Sequence, residues 1–181
     1  MQRIMVMGGP GSGKSTVARS IGDKLSLPVH HLDAHFWLPG WRQRPEDDFA
    51  ARVRDIAKHD RWVIDGNYSR ILPDRLERAD VVVYLDLPLW IRLPRVIRRR
   101  FAYRGRARED MGKGCPERID WVFFKFVVFH SRERRPRMLA LLDQLREEGM
   151  PVALLQSRRE VDAFLARLKQ GDNPGVSPEW R

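Results

Sequence analysis

The sequence predicts an α/β domain, a parallel sheet covered by helices on both faces. Two observations carry this: short apolar runs alternate with segments of helical periodicity, and a glycine-rich turn joins the first run to the first helix. Arg3-Ile4-Met5-Val6-Met7 reads as the first strand, and Val17, Ala18, Ile21 and Leu25 recur at helical spacing after the turn. Pro28 to Asp33 reads as a second strand ending in an acid, followed by a loop rich in Trp, Pro and Gly. A helix is expected from about Pro45 to Lys58, with Pro45 in its first turn and acids just behind it, where the helix dipole favours them. Arg61 to Asp65 is the third strand, stopped by Gly66-Asn67. Val81 to Asp86 is the fourth, and its β-branched run suits a strand buried on both faces. Pro151 to Leu155 is the fifth, with a final helix from about Glu160 to Lys169. Right-handed crossovers in such a sheet place ligands at the C-terminal ends of the strands. The residues to examine are therefore Gly8 onward, Asp33, Asp65, Asp86 and Gln156.

A length of 181 residues fits one domain, and 43% hydrophobic with 32% charged residues is too polar for a membrane protein and too apolar for a disordered one. The longest apolar run, Trp121 to Phe129, is broken by Lys125 and is too short to span a bilayer, which takes about 20 apolar residues. Met1 leads straight into a strand without an apolar leader, and the lone Cys115 has no partner for an internal disulfide. A cytoplasmic location is expected. A net charge of +10 favours polyanionic partners, either nucleotide phosphates or nucleic acid. Arginine dominates from Arg92 to Arg137, which suits a local phosphate-gripping device better than a general nucleic-acid coat.

Gly8-Gly9-Pro10-Gly11-Ser12-Gly13-Lys14-Ser15 matches G-x-x-x-x-G-K-[ST], with a strand before it and a helix after it as that motif requires. The glycines let backbone N–H groups turn inward around an anion, and the helix beginning near Lys14 adds its positive dipole end. Gly8 through Thr16 are thus the expected ATP contacts, with Lys14 reaching the β- and γ-phosphates and Ser15 ligating Mg²⁺. This is the P-loop NTPase signature, and the expected order of the five strands is 2-3-1-4-5. Three functions compete: a phosphotransferase, a GTPase switch and a nucleic-acid ATPase. A guanine reader of the Asn-Lys-x-Asp type is missing, because neither asparagine, Asn67 nor Asn173, is followed by Lys. A nucleic-acid motor needs more chain than this, whereas a small kinase fits the length.

The phosphate loop, the strand-end Asp65-Gly66 and Leu85-Asp86-Leu87-Pro88 before an Arg-bearing helix resemble the nucleoside monophosphate kinases. His31-Leu32-Asp33, Leu38-Pro39-Gly40-Trp41 and Ile64-Asp65-Gly66-Asn67-Tyr68 resemble, more closely, the adenylate-kinase-like proteins labelled "DNA topology modulation" or FlaR-related. The resemblance runs to about Lys169. It implies that Asp65 helps hold Mg²⁺, usually through water. Asp86 is the alternative metal acid, with a capping or turn role before Pro88 preferred for it. It implies that Arg95 and Arg99, four apart on the helix after Pro88, face the nucleotide. It also implies an Arg-rich lid over about 101–135, from which Arg132 or Arg135 reaches the transferring phosphoryl group, with Cys115 as a lid residue. The domain then covers 1–170 and residues 171–181 form a flexible tail.

Adenylate kinases place an acceptor-phosphate arginine shortly after Asp-Gly, but Arg70 lies one residue later than that pattern. Asn67 and Tyr68 either contact the acceptor or serve as a turn-forming Asn and a core Tyr. Asp33 sits where similar small-molecule kinases keep an acid that orients or deprotonates a hydroxyl, a cap being the alternative. His35, with His30 and His31, flanks it. Trp37 and Trp41 either stack on a flat substrate or pack in the core. The leading reading is an ATP- and Mg²⁺-dependent phosphotransferase acting on a small acceptor, as a monomer or weak dimer without a membrane partner. The alternative is a nucleic-acid-associated ATP-binding regulator.

Overall fold

The computed structural model describes residues 1–103, 110–112, 114–116 and 121–168, and the side chains of these apart from Arg100 and 121–133. In chain order the elements are β1 (Arg3–Gly8), α1 (Lys14–Leu25), β2 (Val29–His31), α2 (Leu32–Phe36), β3 (Trp37–Leu38), β4 (Arg42–Gln43) and α3 (Glu46–Lys58). They continue with β5 (Trp62–Asp65), a 3₁₀ turn (Ser69–Ile71), α4 (Leu72–Leu76), β6 (Val81–Leu85), α5 (Leu89–Ala102), α6 (Trp121–Glu147), β7 (Val152–Leu155) and α7 (Arg158–Arg167). Of the expected lid, residues 104–109, 113 and 117–120 lie outside the described residues, as does the expected tail.

The sheet has five parallel strands in the order β2-β5-β1-β6-β7. Counted among themselves these strands lie 2-3-1-4-5, as the phosphate-loop motif led us to expect. Alternation along β1 sends Ile4 and Val6 to one face and Met5 and Met7 to the other. On the first face Val17, Ala18 and Ile21 of α1 and Phe164 of α7 close the core. On the second, Phe49, Val53 and Ile56 of α3 and Leu142 and Leu145 of α6 do the same. Strand faces buried on both sides explain why Val81 to Leu85 reads as continuous hydrophobicity.

Several elements depart from the sequence reading. The second strand ends at His31, and Asp33 belongs instead to the short helix α2. The Trp, Pro and Gly loop contains a small antiparallel hairpin, pairing Trp37 with Gln43 and Leu38 with Arg42. Its connection is closed by Gly40 and Trp41, both left-handed with φ of 77° and 63°. Helix α5 continues through Pro94, and α6 is described from Trp121 onward. Among the described residues no helix is long and apolar enough to cross a membrane.

Helix α1 packs tightly on the turn into β2. A Cβ added at Gly22 would meet Val29 Cγ2 at 2.3 Å and the Leu27 carbonyl at 3.0 Å. Gly22→Ala gains about 1 kcal/mol of helix propensity, but the backbone carbonyl cannot yield without moving the strand. The expected result in a thermal unfolding experiment is a lower Tm, and an unchanged or higher Tm would show that α1 and β2 are less closely packed than described.

Candidate active site

The turn between β1 and α1 is held by its surroundings more than by its own side chains. Gly8 has a φ of 153°, and a Cβ there would lie 2.7 Å from the Leu85 carbonyl and 2.8 Å from Ser12 Oγ. Gly13 takes a left-handed φ of 93° at the start of α1, and no side chain caps that helix. Its first N–H groups therefore point, uncapped, into the turn, the arrangement that receives phosphate in P-loops. Ser12 is buried with its Oγ unpartnered in the protein. Lys14 and Ser15, half-buried, begin α1, and Thr16 behind them is exposed.

Helix α5 grips this turn from outside. Arg92 donates from Nε to the Leu87 carbonyl at 2.8 Å and from Nη1 to the Pro10 carbonyl at 3.1 Å. Arg95 donates from Nη1 to the Ser12 carbonyl at 3.1 Å. Burial holds the pKa of both guanidinium groups below the ordinary arginine value. The sequence reading gave Arg92 no role, yet it is the more deeply placed of the two. Arg99 lies four residues beyond Arg95 on the same helix and is half-buried.

The segment after β5 ties the turn to a second cluster. Asn67 clamps the backbone of one residue through two bonds: its Oδ1 accepts from the Gly8 N–H at 3.1 Å and its Nδ2 donates to the Gly8 carbonyl at 2.9 Å. The next residue, Tyr68, donates its hydroxyl to Asp33 Oδ1 at 2.7 Å. Tyr68 also packs against Phe36 and Phe49, with ring centroids 5.1 and 4.9 Å away. Burial first, and the Asp33 carboxylate second, drive its pKa far above the usual tyrosine value, so the phenol remains a neutral donor. Behind Gly66 to Tyr68 lies Arg75 of α4, which is fully buried. Its guanidinium donates to the carbonyls of Ile71 (3.3 Å), Gly66 (2.8 Å), Asn67 (2.7 Å) and Tyr68 (3.2 Å). Sequence inspection missed it, because a lone Arg in a short helix carries no motif.

Asp65, at the end of β5, is 3% exposed. One carboxylate oxygen meets His31 Nδ1 at 2.9 Å, while Oδ1 is buried without a partner in the protein. Among the described residues no three His, Cys, Asp or Glu side chains gather as a metal site. The chemistry fits a hard cation such as Mg²⁺, which keeps most of its waters and takes a carboxylate and phosphate oxygens rather than an all-protein cage. The orphaned Oδ1 is an acceptor suited to a metal-bound water, and the Ser15 hydroxyl is the second candidate ligand.

Asp86 forms a separate group. Its oxygens accept two bonds from Arg135, both 2.8 Å, and one from Gln156 Nε2 at 3.2 Å. The bonds to Asp86 raise the Arg135 pKa. The three side chains line an open cavity of about 440 Å³ together with Gly9, Tyr84 and Arg92. Asp86 thus holds Arg135 rather than merely capping a turn. Arg70 is exposed and paired with Glu46. The side chain of Arg132 lies outside the described residues. His35 in α2 gives its carbonyl to Arg44 Nε at 2.7 Å, and its pKa is lowered by burial, then by Arg52 and Arg44. The β3–β4 hairpin meets the described part of the expected lid at several points. Trp41 Nε1 donates to the Pro116 carbonyl at 3.0 Å, Gly40 N–H to the Gly114 carbonyl at 3.0 Å, and Cys115 Sγ to the Leu38 carbonyl at 3.2 Å.

No protein-family model matches the chain. A protein named "Putative adenylate kinase" from Pyrococcus furiosus is 28% identical over 136 residues, covering 71% of this chain and 70% of that one. The "Uncharacterized protein YqaC" of Bacillus subtilis is 27% identical over 108 residues, covering 58% and 60%. Among solved structures, shikimate kinase from Acinetobacter baumannii, in complex with shikimate, superposes with a TM-score of 0.56 at 17% identity, covering 92% of this chain and 90% of that one. Shikimate kinase from Bacteroides thetaiotaomicron gives 0.50 at 17% identity, over 92% and 95%. The fold is that of the P-loop kinases. Within that fold the phosphate loop, the acid at the end of β5 and the acid following β2 lie at the strand ends, where ligands of parallel sheets bind.

Two substitutions separate the roles of the strand-end residues. Asn67→Asp keeps the acceptor for the Gly8 N–H but turns a donor into an oxygen facing the Gly8 carbonyl, so nucleotide affinity is expected to drop at least as far as in Asn67→Ala. Equal affinity in both variants and the parent, measured by calorimetry, would remove the clamp from the site. Arg75→Met leaves the carbonyls of Gly66, Asn67 and Tyr68 without their shared donor, and urea unfolding should show a loss of about 2–5 kcal/mol.

Proposed function

We propose that this chain is an Mg²⁺-dependent phosphotransferase that moves the γ-phosphate of ATP onto a hydroxyl of a small acceptor held at Asp33. The observation that carries the reading is that two consecutive residues join the two sites: Asn67 bonds the backbone of Gly8, and Tyr68 bonds the carboxylate of Asp33. A phosphate gripped by the loop and a hydroxyl resting on Asp33 are thereby held in fixed relation, and holding two reactants in register is the main work of a kinase.

In the proposed reaction the acceptor oxygen forms a bond to Pγ as the bond from Pγ to the β–γ bridging oxygen breaks. ADP leaves with that electron pair, and the hydroxyl proton passes to Asp33. Tyr68, kept protonated by burial, donates to one oxygen of Asp33 and so turns the carboxylate into a defined acceptor. Lys14 and the uncapped N–H groups of α1 face the transferring phosphates, and Mg²⁺, when bound, neutralises the phosphate oxygens beside Ser15 and Asp65. Arg99, Arg132 and Arg135 are the candidates to meet the transferring group from α5 and the lid side, the lid being assigned to about 101–135 of a single 1–170 domain. Arg95, already bonded to Ser12, supports the loop backbone. His35 and Trp41 border the acceptor side.

A hydroxyl acceptor is favoured over a phosphomonoester because the arginines of the β5–α4 region are already engaged. Arg75 spends its donors on backbone carbonyls, and Arg70 pairs with Glu46. The relatives named "Putative adenylate kinase" support phosphotransfer, and kinship with the FlaR-related proteins rests on the Ile64–Tyr68, His31–Asp33 and Leu38–Trp41 motifs. A cytoplasmic, monomeric or weakly dimeric protein is the accompanying proposal.

Incubating the purified protein with labelled ATP and pools of nucleosides, nucleotides, polyols and hydroxy acids should yield a phosphorylated product. Lys14→Ala should abolish it with the fold intact, and Asp33→Asn should cut kcat by about 10²–10⁴ while nucleotide binding persists. Steady ATP turnover stimulated by DNA or RNA, with no acceptor phosphorylated, would replace this reading with the nucleic-acid regulator that the +10 charge also suits.

A further inference from the structure

His31 is the last residue of β2 and stands in parallel register with Asp65, the last residue of β5. Register partners on neighbouring strands project from the same face, so sheet pairing itself brings the two side chains together. His31 Nδ1 lies 2.9 Å from Asp65 Oδ2, and the two side chains are only 13% and 4% exposed. Among the described residues His31 is the one side chain hydrogen-bonded to this carboxylate. Arg75 is near enough to be felt electrostatically, but its nitrogens are bonded to the carbonyls of Ile71, Gly66, Asn67 and Tyr68. The other oxygen of Asp65 is buried with no partner. A buried carboxylate with one oxygen satisfied and the other empty is costly unless something else arrives to donate to it.

We infer that His31 is a positioning residue for the metal of the bound nucleotide: by donating from Nδ1 to Oδ2 it locks the Asp65 carboxylate so that Oδ1 is presented to a metal-bound water. This rests on the phosphotransferase reading for the presence of Mg²⁺ with the nucleotide. A carboxylate can rotate about its χ2, and in a buried site a wrong rotation spends the open oxygen on protein groups. The ring prevents that, and by engaging Nδ1 it also sets which nitrogen carries the proton. Residues that orient a metal-binding group in this way control metal affinity without touching the ion. A purely structural pair would support the sheet edge equally with and without metal, and this difference separates the two roles.

The test is calorimetric titration of a non-hydrolysable ATP analogue into the full chain, in EDTA and across a Mg²⁺ series, for the parent, His31→Leu, His31→Asn and His31→Gln. The side-chain amide of Asn can stand where Nδ1 stands, whereas that of Gln reaches the place of Nε2. In His31→Leu and His31→Gln the Mg²⁺ concentration giving half of the metal-dependent tightening should rise about tenfold or more, with affinity in EDTA changed less than about twofold. His31→Asn should stay within about threefold of the parent. If His31→Leu does not fold, the contrast between Asn and Gln decides. Parental metal dependence in both Leu and Gln, an Asn variant as poor as Gln, or an equal loss with and without Mg²⁺ would each overturn the inference. A parent that binds the analogue but gains nothing from Mg²⁺ overturns it and leaves the phosphate loop standing, whereas a parent that binds no analogue overturns the phosphotransferase reading as well.

Discussion

A single buried guanidinium holds the site together. Arg75 places its donors on the carbonyls of three successive residues, Gly66, Asn67 and Tyr68. These are the residues that reach forward to the phosphate loop and across to Asp33. Burying a cation is expensive, and the low dielectric around Arg75 pushes its pKa down to about 10, yet that value still leaves it charged at neutral pH. A planar group with several diverging donors suits this task, and a lysine ammonium on a flexible stem does not. Tyr68 adopts a positive φ of 27°, a conformation that a bulky residue takes only when its neighbours enforce it. The aromatic contacts to Phe36 and Phe49 on one side and the Arg75 fork on the other supply that enforcement.

From this anchor the architecture is a sequence of short links. The sheet brings Asp65 beside Val6 on the neighbouring strand, so the acid and the phosphate loop emerge at one edge. Asn67 then fixes Gly8, the first residue of the loop, Arg92 and Arg95 hold loop carbonyls from α5, and the first N–H groups of α1 are left without a side-chain cap. Each fastening uses a side chain to satisfy backbone groups that a tight turn cannot satisfy itself. Under the proposed phosphotransfer this rigidity would serve catalysis, since a phosphoryl group has to be met along a narrow range of approach.

Much of this was legible in the residues. The Gly8 to Ser15 spacing located the loop and, with it, the strand order 2-3-1-4-5, while the alternation of strands and helices gave the parallel sheet. The acids at strand ends could be picked out because parallel sheets put ligands there. Other parts left no trace. Arg75, and the clamp on Gly8 by an Asn67 expected only as an acceptor contact or a turn residue, work by bonding backbone carbonyls and N–H groups, which any residue at the far end of the bond supplies, so no paired pattern appears in the chain. The hairpin around Gly40 was hidden because its strands are two residues each, too short to show a period. The pairing of Asp86 with Arg135 joins positions 49 apart on separate elements, and nothing local announces it.

The hairpin has a consequence of a different kind. Trp41 gives its indole N–H to the Pro116 carbonyl and stands edge-on to Trp37, with ring centroids 5.3 Å apart. The junction between the β3–β4 hairpin and residues 114–116 therefore carries its own optical label. Parting the two surfaces strips a hydrogen bond from an indole and exposes it to water, a change that tryptophan emission registers without any attached dye. A variant keeping Trp41 while the other tryptophans are replaced by phenylalanine turns the state of that junction into a spectrum.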